Sequence, residues 1–177
     1  VDSIKKPVSP YGLSKLKSFE ITKKYRKLHN IKTYNAVIFN TESFFRNKSY
    51  LIPKICLAAI KAKKYNLKTE FGNLKISREW NWCPEQVKYL FNFIKKKPQD
   101  FILSNGKSYT AIQMLKFAFK YFNLNYKNYI LINKKKFFRK RDILQKKSDW
   151  KSCLLRNKIN RRVLIHGNKL ITKLIKH

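Results

Sequence analysis

Along this 177-residue chain, apolar residues recur in short stretches whose period switches between that of a helix and that of a strand. Ser9-Pro10 followed by Leu13, Leu16, Phe19 and Leu28 predicts a helix over 11–28, with Ser9 as N-cap, Pro10 at the first helical position and Asn30 at the end. Aromatic and β-branched residues over 33–39 predict a buried strand that stops at the polar run Asn40-Thr41-Glu42-Ser43. A second helix is expected over 51–64, where Ile52, Ile55, Ala59 and Ile60 fall at helical spacing. Residues 67–71 read as a short strand closed by Gly72-Asn73. A third helix over 84–97 would turn Val87, Leu90, Phe91 and Ile94 inward until Pro98 stops it. A strand over 100–103, a helix over 110–121 and a strand over 126–132 follow. From about 142 the pattern is helical, interrupted by the polar stretch 157–162. Helices and strands alternate throughout, so the class is α/β with parallel pairing expected, and no internal repeat is visible.

Composition supports one real core, since 44% of residues are hydrophobic and 15% aromatic. The net charge of +33, from 42 Lys+Arg against 9 Asp+Glu, would ordinarily point to nucleic acid or an anionic membrane. Here the lysines are scattered through every segment beside abundant Asn, Ile, Phe and Tyr, the pattern of a coding region biased toward AT-rich codons. A specific binder would concentrate them on one face or arm, so no nucleic-acid partner is expected. The competing reading is a basic nucleic-acid-binding protein without catalysis, its interleaved aromatics stacking on bases. It would show strongly salt-dependent affinity and tolerate changes in the candidate catalytic residues described next.

Cys56, Cys83 and Cys153 are odd in number and far apart, and His29, His166 and His177 are equally dispersed. Neither a disulfide framework nor a metal site is expected, and a reducing, cytoplasmic setting fits. The longest apolar runs fall short of the ~20 residues a membrane span needs, so no membrane partner is expected. With glycine only at 12, 72, 106 and 167, no Gly-x-Gly-x-x-Gly phosphate loop exists in these residues.

Tyr11 and Lys15 lie four apart on the first helix and so share one face. A phenol is a poor base near neutrality, and a neighbouring ammonium brings its pKa toward the working range. Trp80 and Trp82, two apart, would project alike in an extended segment. Stacking on a base or sugar is one use for them, and core packing under a loop is the favoured one.

Ser9-Pro10-Tyr11-Gly12-Leu13-Ser14-Lys15, followed by a strand ending Ile38-Phe39-Asn40, resembles the extended short-chain dehydrogenase/reductase superfamily. Within it the chain is most similar to the GDP-mannose 4,6-dehydratases. Their Phe-Asn-His-Glu-Ser signature with a following arginine pair corresponds to Phe39-Asn40-Thr41-Glu42-Ser43-Phe44-Phe45-Arg46. Gly72-Asn73-Leu74, Arg78-Glu79-Trp80 and Pro98-Gln99-Asp100-Phe101 match further elements in order, and Phe138-Arg139-Lys140-Arg141-Asp142 is a weaker echo of a Phe-Arg-Pro-x-Glu segment. The resemblance runs without obvious gaps over 7–123 and then thins.

The resemblance implies the C-terminal part of a Rossmann-like fold, with 1–43 closing the Rossmann-like region and 44–177 mainly binding substrate. The glycine-rich N-terminal half would then be missing, and the chain alone inactive. It implies Tyr11 as catalytic base and Lys15 as the residue that tunes it and holds the cofactor ribose, with Thr41 and Arg46 on the cofactor side. Asn40, Lys54, Arg78 and Arg139 would grip the nucleotide sugar, and Asp142 its ribose. Guanidinium forks suit a pyrophosphate bridge, although each arginine also reads as one more solvated cation. The implied cofactor is NADP, with NAD as the alternative. The implied substrate is a nucleotide sugar, GDP-mannose first, and the full-length enzyme would be a homo-oligomer. The implied reaction is an internal redox with loss of water across C5 and C6, and its elimination acid/base pair would lie upstream of Val1. Three departures, Thr41 for His, Phe44-Phe45 for Pro-Arg and Asn81-Trp82 for Gly-His, bear on substrate and cofactor detail. The Asn40-to-Arg46 signature argues against an epimerase or 4-keto reductase of the same superfamily, an alternative that Thr41 and Phe45 keep open.

Overall fold

The computed structural model describes residues 4–133 and 164–177. Helix α1, Pro10–His29, begins at Ser9, whose hydroxyl oxygen accepts the Gly12 N–H at 3.0 Å, and ends at Asn30 in the left-handed conformation (φ 52°). Asn66 caps α2, Leu51–Tyr65, in the same way (φ 55°). Asparagine tolerates the left-handed region better than other residues with a Cβ, so it serves where a glycine-poor chain must end a helix.

β1, Asn35–Ile38, pairs in parallel with β6, Asp100–Leu103. The expected buried strand over 33–39 is thus shorter and only half-buried, with Ile38 48% exposed. The polar run expected to end it is itself a strand, β2, Asn40–Glu42, parallel to β5, Trp80–Trp82. β3, Thr69–Phe71, pairs in parallel with β8, Ile130–Ile132, and β4, Ser77–Arg78, is antiparallel to β7, Tyr109–Thr110. The α/β class and the parallel pairing are present, with this antiparallel exception. The expected strand over 126–132 splits into a 3₁₀ turn, Tyr126–Asn128, and β8.

α4, Ala111–Tyr121, starts from a capping box in which Thr110 and Gln113 satisfy each other's backbone N–H. It packs with α2 and with α5, Gly167–Ile175, around a core of Ile52, Ile55, Phe71, Trp80, Met114 and Leu170. Trp80 and Trp82 are buried, at 2% and 4% exposure, which settles these two as core residues.

α3, Cys83–Phe93, is shorter than expected and rotated from the expected face. Val87, Phe91 and Ile94 are exposed, while Gln86 and Phe93 are buried and Leu90 packs beside them. A polar residue decides the rotation: Gln86 Oε1 accepts the Thr41 hydroxyl at 2.7 Å, a bond that apolar periodicity does not register. The end of the helix is set by Tyr34, whose hydroxyl reaches the carbonyls of Ile94 and Lys96 at 2.9 and 2.6 Å, well before Pro98.

α1 carries no buried residue. It is held to the β1/β6 pair by Arg26, whose Nη2 donates to Asp100 Oδ1 at 2.6 Å, while Asn35 Nδ2 donates to the same oxygen at 2.9 Å.

Candidate functional site

The fixed start of α1 places Tyr11 on its first turn and Lys15 one turn later, and the Lys15 ammonium lies 5.5 Å from the Tyr11 ring centroid. The expected pairing on one face is present. Tyr11 is 71% exposed, so the phenol faces open space. On the sheet side of the helix runs an open groove of about 360 Å³, with Lys5, Lys6 and Lys15 at its rim and Leu16, Phe19 and Val37 along its floor. Such a groove suits a ligand with an anionic group and a flat apolar part.

A second group sits at the end of β2. Asn40 is exposed, and its carbonyl accepts Asn81 Nδ2 at 3.4 Å. The Thr41 hydroxyl is engaged by Gln86, which turns it into the fold. Glu42 is 3% exposed and lies 3.8 Å from Arg46 Nε. Burial raises its carboxyl to about 7, against the opposing pull of Arg46. The Arg46 guanidinium stacks on Tyr50, 3.7 Å from the ring centroid. Lys54, on α2, is half-buried with its ammonium 4.8 Å over the Phe71 ring, and Arg78, on β4, donates to the Ser77 carbonyl at 2.8 Å. The β2/β5 register sets Asn40 opposite Trp80, so Arg78 lies two residues before the partner of Asn40. Arg139 and Asp142 lie outside the described residues.

Between these candidates lies a buried network that the sequence reading passed over. Glu79 is fully buried. Its Oε2 accepts the Ser104 hydroxyl at 2.7 Å, and its Oε1 accepts the Asn105 N–H at 2.8 Å and Asn81 Nδ2 at 3.1 Å. Asn105 Nδ2 reaches Asn81 Oδ1 at 2.7 Å and the Trp80 carbonyl at 3.1 Å. The network ties the strand after Arg78 to the loop after β6. A visible signal was the rarity of acids, 9 in 177 residues, with this one wedged between Arg78 and Trp80. Exposed lysines, by contrast, stud α1, α2, α3, α4 and α5 alike.

The family model for GDP-mannose 4,6 dehydratase matches residues 2–174. The chain belongs to that family. It is 30% identical over 146 residues to GDP-mannose 4,6 dehydratase 1 of Arabidopsis thaliana, covering 81% of this chain and 40% of that protein. The Homo sapiens GDP-mannose 4,6 dehydratase is 27% identical over 115 residues, covering 64% and 31%. The chain therefore spans about two fifths or less of these curated relatives. Among solved structures, dTDP-glucose 4,6-dehydratase from Bacillus anthracis in complex with NAD superposes with a TM-score of 0.77 at 14% identity, over 97% of this chain and 53% of that one. RMD from Pseudomonas aeruginosa complexed with NADPH gives 0.74 at 12% identity, over 99% and 59%. These likenesses show the fold: the α/β arrangement, with its parallel strand pairs, is that of about half of each of these Rossmann-like proteins. Among the described residues, no helix is long and apolar enough to cross a membrane.

Proposed function

We propose that this chain supplies the catalytic helix and much of the sugar-nucleotide cleft of an NADP-dependent GDP-mannose 4,6-dehydratase, a hydro-lyase forming GDP-4-keto-6-deoxymannose. The observation that carries this reading is the Tyr11–Lys15 pair on the open face of α1, in a chain matched along nearly its whole length by one dehydratase family. Tyr11 would take the proton of the sugar C4 hydroxyl. Lys15 would stabilise the phenolate and hold the cofactor ribose.

When bound, the nicotinamide cofactor supplies the acceptor, and later the donor, of the hydride. The residues present fit it in part. Tyr11, Lys15 and the exposed portion of Arg46 suit its nicotinamide and anionic sides, whereas no glycine-rich phosphate loop occurs among the 177 residues. Thr41 would contribute through its backbone, its hydroxyl being held by Gln86. Asn40, Lys54 and Arg78, with Arg139 and Asp142, would bind the nucleotide sugar, arginine supplying paired N–H donors to the pyrophosphate. The loss of water also requires an acid/base pair from elsewhere in the complete enzyme, which would act as a homo-oligomer in the cytoplasm.

Kinetics of Tyr11→Phe in the complete enzyme test the reading. The exposed hydroxyl is removed and the ring kept, so kcat should fall ~10²- to 10⁴-fold with KM nearly unchanged. A variant retaining full kcat would overturn it. The 177-residue chain by itself should show no dehydratase turnover.

A further inference from the structure

Glu42 stands on the main-core face of β2, because successive strand side chains alternate and Thr41 takes the opposite face toward Gln86 of α3. Its register partner is Trp82, and Cys56 of α2 lies close enough that the carboxyl raises the thiol pKa. The Cys56 thiol is pushed up to about 12, first by its own burial and then by Glu42, and so stays neutral. Two further groups lie near this end of the strand. Lys173 of α5 sits 5.4 Å over the Trp82 ring, and His177 lies tilted against Phe44 with ring centroids 3.8 Å apart. The cation that faces the carboxyl is Arg46, its Nε 3.8 Å from Oε2. Both atoms are shut off from solvent and neither makes a hydrogen bond among the described residues, yet 35% of the Arg46 side chain is exposed. The pair is therefore loosely joined, with the carboxylate inside and part of the cation outside.

We propose that Glu42 is the buried counter-ion of Arg46, and that an anionic group reaching Arg46 from solvent is bound together with a proton on Glu42. The proposal rests on the reading of Arg46 as a contact for an anionic part of the cofactor. An anion at the outer edge of the guanidinium would lie roughly 6 Å from the carboxylate, where an effective dielectric of about 20 makes the repulsion worth more than tenfold in affinity. Protonation removes the repulsion, and burial has already brought that proton within easy reach near neutrality. By linkage, the anion must in turn draw Glu42 further toward its protonated form.

Inorganic sulfate is a suitable probe because it does not titrate near neutral pH. Its affinity is read from the Arg46 side-chain ¹⁵N resonances of the 177-residue chain, at constant ionic strength, so that adventitious binding elsewhere on a +33 protein is not counted. Sulfate should bind at Arg46 about tenfold more weakly at pH 8 than at pH 6, and E42Q should bind at pH 8 as the unsubstituted chain does at pH 6. Binding that is independent of pH overturns the proposal and leaves the cofactor-side reading of Arg46 intact. A dependence that persists in E42Q assigns it to another group and also overturns the proposal. Sulfate that leaves the Arg46 resonances unmoved at both pH values overturns the proposal and the reading beneath it. Should E42Q fail to fold, the unsubstituted chain still decides: the ¹³C midpoint of the Glu42 carboxyl, near 7, must rise in saturating sulfate, and a stationary midpoint refutes the linkage.

Discussion

Truncating Glu79 to alanine tests whether the buried network, rather than the surrounding apolar contacts, fixes the strand after Arg78. The substitution removes the carboxylate that accepts the Ser104 hydroxyl and the Asn105 N–H, and one of the two acceptors of Asn81 Nδ2, which keeps the Asn40 carbonyl. Each unsatisfied buried donor costs about 1–3 kcal/mol. Ser104 and Asn81 can turn toward one another or toward water entering the space, whereas the Asn105 N–H is fixed in the backbone. A net loss of about 3–4 kcal/mol follows, a large share of the ~5–15 kcal/mol that holds a domain of this size together. Trp80 and Trp82 are buried on the affected strand, so tryptophan fluorescence during urea unfolding reads the event directly. The midpoint should fall sharply with little change in slope. Glu79→Gln keeps the volume but sets an NH₂ group against one of the donors, and should lose about half as much. A loss under ~1 kcal/mol for Glu79→Ala would mean that packing alone positions β5, and the reasoning would fail.

Arg26→Ala removes the guanidinium from Asp100, which is nearly buried while Arg26 is not. It should cost about 1–3 kcal/mol and raise amide hydrogen exchange chiefly in α1. Gly167→Ala forces φ +54° on a residue with a Cβ and brings that carbon within 2.6 Å of the Tyr109 ring. It should loosen α5 and lower the thermal midpoint by several degrees, corresponding to about 2 kcal/mol. Glu42 makes stability depend on pH with an unusual sign. Its folded pKa of about 7 lies above the unfolded 4.5, so its contribution is most favourable below 4.5 and is lost as pH rises to about 7. The loss amounts to about 3 kcal/mol, measurable by denaturant titration across pH 4–8 and flattened in Glu42→Gln.

The helices were legible where local chemistry sets them. Ser9-Pro10 and Asn30 bound α1 as read, and the apolar spacing of Ile52, Ile55 and Ala59 located α2 with its buried face. The Tyr11–Lys15 pairing was legible for the same reason, since helical spacing alone brings the two together. The two- and three-residue strands were not. Asn40-Thr41-Glu42 looks like a turn and becomes a strand because β5 pairs with it, a partner 40 residues away in register. The inner face of α3 is not where apolar spacing puts it because Gln86, a polar residue, is buried on it together with Phe93. Glu79 is hard to single out in the sequence because Arg78 beside it carries the suggestive chemistry, while the fold needs the carboxyl.

The acids show how so cationic a chain keeps one fold. Lysine is tolerated on every helix because exposed cations repel one another only weakly through water and salt. A carboxyl group facing several backbone and side-chain donors has no substitute among the common residues here, and the chain retains acids at such points. Glu79 gathers β5 and the loop after β6, Asp100 fastens α1, and Glu85 accepts the Ile165 N–H at 3.0 Å to anchor the segment leading into α5. Glu42 differs from these three. It is buried and faces a cation without a hydrogen bond, beside the residues proposed to meet the cofactor, and the fold gains no fastening from it. A buried carboxyl that binds nothing tightly costs stability wherever it is ionised. Its place at the end of β2 therefore makes structural sense only if the charge on Arg46 matters there, which is the condition that an anion site would impose.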